Sequence, residues 1–156
     1  GGFLYLHETL ETPEKVSYPM AGVIAGNGYG TGRLCRFGYM TLTAKKDTML
    51  AAKGQAFKAH EFHYWNSSNI GADYEIAKAS DGSVAAGGYG TDTLYAGFPH
   101  IYFYGRRTAA DRFIKTCRSY HAAGSEMQNA QGQCTAMKMQ QKVCTGENNI
   151  LKEKNI

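Results

Sequence analysis

Hydrophobic and polar residues alternate with a period of two through much of the first hundred residues, as in strands that bury one face. The clearest case is 55–65, QAFKAHEFHYW, where Phe57, Ala59, Glu61 and His63 fall on one face of a predicted strand. The same kind of pattern predicts further strands at 18–25, 34–45, 73–79, 83–88 and 94–98.

Two segments carry the spacing of amphipathic helices instead. Residues 1–10 predict a short helix that opens on Gly1 and Gly2, and 108–122 predict a longer one with Thr108 as its N-cap. Strands that alternate with helices indicate an α/β domain with a partly incomplete sheet.

Two other segments lack such periodicity. Residues 26–32, GNGYGTG, predict a flexible turn, because the Lys-Ser/Thr of a phosphate-binding loop is missing and no helical pattern follows. From residue 123 onward the chain is rich in Gln, Asn, Lys and Met. We therefore predict a folded part over 1–122 and a polar, weakly ordered tail over 123–156.

Charge and hydropathy narrow the classes of function. The 156-residue chain has a net charge of +4 without a block of Lys and Arg, so we expect no nucleic-acid partner. It has no run of 18 apolar residues and no signal-peptide pattern, so we expect neither a membrane-spanning helix nor secretion. These features favour a cytoplasmic protein.

The cysteines and histidines do not have the spacing of a metal site. Four cysteines form no CxxC pair, and we expect them to be reduced thiols. His60 and His63 lie three apart, so on a regular strand they face opposite sides and cannot share a metal ion.

The stretch 93–105, TLYAGFPHIYFYG, is the main candidate for chemistry. A predicted strand ends at a turn with Pro99, and His100 follows, ahead of a second apolar run at 101–104. A histidine at the carboxyl end of a strand can activate a nucleophile. The alternative is a structural histidine in the core, whose imidazole N–H donates a hydrogen bond to a backbone carbonyl.

Several stretches together resemble one family. In chain order they are GGFLYL (1–6), RLCRFGY (33–39), DTML (47–50), KAHEFHY (58–64), LYAGFPHIYF (94–103) and RFIKTCRSY (112–120). Residues 1–120 thereby resemble the glutamine amidotransferase domain of the cobyrinic acid a,c-diamide synthase family.

The resemblance implies a fold and an activity. The fold would be that of class I glutamine amidotransferases, a flavodoxin-like α/β sheet that is here incomplete on its N-terminal side. The activity would be glutamine hydrolysis, with the ammonia amidating the a and c acetate groups of cobyrinic acid in cobalamin biosynthesis. ATP and Mg²⁺ would belong to a preceding domain, and this part would hold no cofactor.

The resemblance also implies site residues. In the family the nucleophilic cysteine directly precedes the Gly-Gly pair, so the chain starts one residue after it and we expect no glutaminase activity from it. His100 would be the general base, and Gly1 and Gly2 would bind glutamine and its oxyanion. Gly1 should then lie within roughly 10 Å of His100.

Glu61 and His63 are weaker candidates. Either could orient His100 or contact glutamine, and Glu61 is the expected partner of His100; the alternative is a structural role within the sheet. Cys35 is disfavoured as a replacement nucleophile, because no pattern places it at the start of a helix. Tyr102 stands where a second histidine is usual in the family.

Two alternatives stay open on the sequence alone. A non-catalytic binding or scaffold domain of amidotransferase fold would share the same pattern without the cysteine. The acceptor could be cobyrinate, hydrogenobyrinate or nickel-sirohydrochlorin. A homodimer is compatible with the composition.

Overall fold

The computed structural model describes residues 1–123. Gly1–Thr116 form one compact unit, which contains the sheets, and the described residues from Cys117 onward belong to a second unit. The first unit begins with the helix α1 (Gly2–Tyr5), and residues 107–123 are also helical. The strands are β1 (His7–Glu11), β2 (Ser17–Pro19), β3 (Ile24–Gly30), β4 (Arg36–Ala44), β5 (Ala56–His63), β6 (Trp65–Ser67), β7 (Tyr74–Lys78), β8 (Val84–Gly87), β9 (Tyr89–Gly90), β10 (Tyr95–Ala96) and β11 (His100–Ile101).

The larger sheet has five strands in the order β11-β5-β4-β7-β8, and every neighbouring pair is antiparallel. Its inner face carries Met40, Leu42, Phe57 and Ile76, which are almost fully buried. Ala109, from the helical segment 107–123, packs into the same cluster. The alternation that predicts these strands therefore sorts their side chains into a core face and an outer face.

The smaller sheet has the order β2-β1-β3-β6, and in it β1 and β3 are parallel. The helix α1 leads into β1, and Phe3 of α1 packs with Ile24 and Ala96 in a second apolar cluster. Phe98 is partly buried against this cluster. The start of the chain and the segment before His100 therefore meet in one core.

The protein has both helices and sheets, as predicted. Strands lie within 34–45, 55–65, 73–79 and 83–88, and the long helical segment overlaps 108–122, so these predictions are confirmed. The described helices do not cover both faces of the five-stranded sheet. Among residues 1–123 no helix combines the length and apolar character needed to cross a bilayer.

The predicted helix over 1–10 is wrong beyond Tyr5, because His7 belongs to strand β1. His7 is fully buried: its Nδ1–H donates to the Phe3 carbonyl at 2.9 Å, and its Nε2 lies 2.6 Å from the Ser67 hydroxyl. Ser67 is sixty residues away, so this long-range bond ends the helix where local periodicity would continue it.

The predicted turn over 26–32 is also wrong, because β3 runs through it to Gly30. A Cβ on Gly28 would lie 2.9 Å from side-chain carbons of both Leu4 and Leu10. The glycine is required by close packing within a strand and not by a turn.

Three further boundaries differ. The predicted strand 18–25 is split between β2 and β3, and 94–98 contributes only the two residues of β10. The apolar run 101–104 leads into a 3₁₀ turn, Phe103–Gly105. Residues 124–156, most of the predicted tail, lie outside the described residues.

Candidate functional site

Glu61 and His63 lie on the inner face of β5, beyond the end of the apolar core. Glu61 is 2% exposed, and its Oε1 lies 4.0 Å from His63 Nε2. The register of β4 and β5 sets Arg36 opposite His63, so the guanidinium shares this face and comes within 3.8 Å of Glu61 Oε2. A carboxylate, an imidazole and a guanidinium are thereby grouped at one end of the sheet.

Burial raises the pKa of Glu61 above its ordinary value of 4.5, and the positive charges of Arg36 and Lys78 oppose that rise only in part. Arg36 is within ion-pairing distance but too far for a hydrogen bond to Glu61. Among the described residues, Glu61 Oε2 has no hydrogen-bond partner. Such a buried acceptor is costly unless a ligand or water fills the gap.

His63 presents a second acceptor without a partner. Its Nδ1 lies 2.6 Å from the Trp65 carbonyl, which can only accept, so Nδ1 carries the proton and Nε2 is the lone-pair nitrogen when the ring is neutral. Burial lowers the pKa of His63 below its ordinary value of 6.5, which favours this neutral form. Within residues 1–123, the buried Nε2 also lacks a hydrogen-bond partner.

A cavity of about 320 Å³ opens beside Arg36 and Glu61, and His63 is not among the residues that line it. It is lined by Arg36, Glu61, Ser67, Ser68 and Phe98, together with residues of β8 and of the loop before β4. Its size is in the lower range for small-molecule sites, and it combines a cation, a carboxylate and hydroxyl groups. This arrangement suits a small ligand that has both an ammonium and a carboxylate group.

His100 lies at the edge of the sheet in the two-residue strand β11 and is exposed. It is paired with His60, so its Cβ is on the outer face, whereas Glu61 is on the inner face. The register therefore does not provide the predicted contact between Glu61 and His100. The charge of His100 does contribute to the lowered pKa of His63, so the two imidazoles lie within electrostatic reach.

The turn before His100 is fixed from two sides. The Tyr95 hydroxyl donates to the Pro99 carbonyl at 2.8 Å, and burial raises the pKa of Tyr95, so the hydroxyl stays protonated. Pro99 and Phe98 both line the cavity. His100 therefore follows directly on the cavity wall, and its position is set by hydrogen bonding and packing.

Gly1 caps α1, and both Gly1 and Gly2 are exposed. A helix that begins at Gly2 is as predicted. Phe3, in the same helix, contacts Phe98 edge to face with ring centroids 4.9 Å apart. The helix α1 and the segment before His100 thus contact each other through Phe3 and Phe98. The expected separation of less than roughly 10 Å between Gly1 and His100 stays a prediction.

Arg36 is a candidate that the sequence reasoning missed. It occupies an inner-face position of β4, and the inner residues Met40 and Leu42 further along the strand are buried. Arg36 falls on the same every-second-residue positions as the buried residues of β4. A charged residue at such a position is the sequence signal that identifies Arg36 as a candidate. Cys35, next to it, also lines the cavity, and its Sγ lies 3.1 Å from the Thr31 hydroxyl.

The chain is similar to curated proteins named cobyrinate a,c-diamide synthase. The protein of that name from Listeria monocytogenes serotype 4b is 37% identical over 108 residues, which is 67% of this chain. The one from Salmonella typhimurium is 34% identical over 122 residues, or 76% of the chain. The matched part of this chain belongs to the cobyrinate a,c-diamide synthase family.

The match covers only part of these relatives. It amounts to 24% of the Listeria protein and 27% of the Salmonella protein, so the chain spans about a quarter of a cobyrinate a,c-diamide synthase. No family model matches the chain. The family resemblance that the sequence stretches predict is thus confirmed for the matched region.

Proposed function

We propose that this chain is the glutamine-hydrolysing part of a cobyrinate a,c-diamide synthase. The ammonia would amidate the a and c acetate groups of a corrinoid, in a ligase reaction that uses ATP and Mg²⁺ bound by another part of the enzyme. The names of the relatives support the substrate, and the cavity beside Glu61 supports glutamine as the nitrogen donor.

The observation that carries the proposal is Glu61, a buried residue of the cavity wall whose Oε2 has no hydrogen-bond partner among the residues that the structure describes. An α-ammonium group has three N–H donors, and one of them would satisfy Glu61 Oε2. Arg36 would bind the α-carboxylate, for which a guanidinium offers two parallel donors. The amino-acid head of glutamine therefore matches the charges at this end of the cavity.

The chemistry would need a thiol at the position before Gly1. The sulfur attacks the side-chain carbonyl carbon of glutamine while His100 takes its proton and then protonates the leaving ammonia. Water hydrolyses the resulting thioester to glutamate and restores the thiol. The backbone N–H groups at Gly1 and Gly2 would stabilise the oxyanion.

Calorimetry with three ligands tests the substrate assignment on the chain as it stands. L-Glutamine should bind, and 4-carbamoylbutanoate, which lacks only the α-amino group, should bind at least about tenfold more weakly because it leaves Glu61 Oε2 unsatisfied. L-Glutamate should bind through the same head group. Equal affinity for glutamine and 4-carbamoylbutanoate would refute the assignment, and no binding of any ligand would favour the non-catalytic scaffold.

A further inference from the structure

The outer face of the five-stranded sheet is aromatic at one end, and residues 1–123 leave these aromatic side chains exposed. We define this aromatic face by five residues on β4, β5 and the position after β5: Phe37, Tyr39, His60, Phe62 and Tyr64. The exposed fractions of the four residues other than His60 are 61%, 73%, 51% and 49%. A contiguous apolar surface of this kind on a soluble protein marks an interaction site.

The rings of the aromatic face form a continuous chain of edge-to-face contacts. His60 contacts Tyr39 at 5.1 Å and Phe37 at 5.6 Å between ring centroids. Phe37 contacts Phe62 at 5.8 Å, and Phe62 contacts Tyr64 at 5.6 Å. The rings therefore hold one another in place, so little side-chain entropy is lost when a partner covers them.

Charge is scarce on this surface. Lys58 is the one charged side chain at the outward positions of β4 and β5, and its Nζ donates to the Thr41 hydroxyl at 3.0 Å. Exposed aromatic rings with few charges match the composition at the centre of protein–protein interfaces. The surface therefore fits a polypeptide partner better than a nucleic acid or a highly charged ligand.

The aromatic face continues along the sheet to His100 at its edge. A shallow depression of about 550 Å³ lies between Tyr39, His60, His100 and Tyr102. A partner seated on the aromatic face would thus also contact the surroundings of His100.

We propose that the aromatic face docks the polypeptide that corresponds to the part of a cobyrinate a,c-diamide synthase outside the matched segment. About three quarters of each relative lies outside the match, so such a partner exists in the family. A second copy of this chain fits less well, because Lys58 would then face a surface without a carboxylate among the outward positions of β4 and β5. The inference rests on family membership and not on glutamine hydrolysis.

Hydroxyl-radical footprinting tests the docking surface. The 108 matched residues of the Listeria relative are replaced by this chain, and the oxidation rates of Phe37, Phe62 and Tyr64 are compared between the full-length chimera and the chain alone. We expect these rates to fall at least about threefold in the chimera, because a covered aromatic core excludes solvent. The exposed Tyr18 on β2 is the matched control and should keep its rate.

Unchanged oxidation of Phe37 and Phe62 in a chimera that unfolds cooperatively would overturn the proposal. Protection that grows with the concentration of the chain alone would also overturn it, since a second copy would then be the occupant. As a second measurement, Phe62→Ser in the chimera should increase the rate of limited proteolysis at the junctions several-fold, while Tyr18→Ser should not. An equal effect of the two substitutions would count against docking.

Discussion

Phe98 stacks on the imidazole of His63 with ring centroids 3.8 Å apart and an angle of 7° between the planes. The same phenyl ring meets Phe3 edge to face. Phe98 therefore joins α1, the inner face of β5 and the turn that precedes His100. Phe98 itself lines the cavity, so these contacts fix one part of the cavity wall.

Phe98→Ala should lower the free energy of unfolding by about 2–4 kcal/mol, because it removes both ring contacts and leaves a void beside His63. Guanidinium denaturation followed by circular dichroism measures this change. Phe62→Ala is the matched control on the outer face and should cost less than about 1 kcal/mol. Equal losses for the two variants would contradict the role assigned to Phe98.

Gly71→Ala should destabilise the fold by about 2 kcal/mol more than Gly82→Ala. Both glycines have positive φ, 76° and 69°, so both substitutions carry a similar backbone strain. A Cβ at residue 71 would lie 2.5 Å from the carbonyl oxygen of Gly88, whereas at residue 82 it would meet open space. Thermal unfolding compares the two variants, and similar melting temperatures would disprove the close approach of residues 71 and 88.

Glu61→Gln should stabilise the protein at pH 7 and have little effect below pH 4.5. The pKa of Glu61 is raised in the folded state, so the folded state binds its proton more tightly than the unfolded state does. The free-energy cost of ionising the buried carboxyl is therefore absent below pH 4.5 and grows as the pH rises above 4.5. Urea denaturation of both proteins across this pH range measures the difference in their free energies of unfolding.

The exposed Glu75 on the outer face provides the control for that experiment. Glu75→Gln should change stability by no more than about 0.5 kcal/mol at either pH. A Glu61→Gln variant that is less stable than the parent at pH 7 would show that the ion pair with Arg36 outweighs the cost of burial.

Local alternation was enough to predict β4, β5, β7 and β8 and to assign Glu61 and His63 to one face. A period of two is a property of the strand itself, so it survives in any tertiary context. The position of His100 relative to Glu61 was not predictable in this way. It depends on the register of β11 on β5, which pairs residues forty apart in the sequence.

Glycines and buried polar groups misled the sequence reasoning for a related reason. Gly28 carries a turn signal by residue type, yet the structure uses it to admit Leu4 and Leu10. His7 fits a helical stripe, yet its bond to Ser67 places it in a strand. In both cases a distant partner determines the local structure, and a single sequence does not reveal that partner.

His100→Ala in the full-length chimera with the Listeria relative should lower glutamine-dependent amidation by about 10²–10⁴-fold. Amidation with added ammonia should be unaffected, since ammonia bypasses the glutaminase step. Tyr18→Ala is the control, because Tyr18 is exposed on β2, outside the cavity and the aromatic face. Loss of both activities, or an equal effect of Tyr18→Ala, would remove His100 from the proposed mechanism.

The most direct test of the account is the affinity of L-glutamine for this chain and its cavity variants, measured by calorimetry. Arg36→Met and Glu61→Gln should each raise the dissociation constant at least about tenfold, because each removes a charge-assisted contact to the amino-acid head. Arg33→Met, at an exposed arginine three residues away, should leave it within about twofold. Absence of binding, or equal weakening by Arg33→Met and Arg36→Met, would contradict glutamine as the ligand of this cavity.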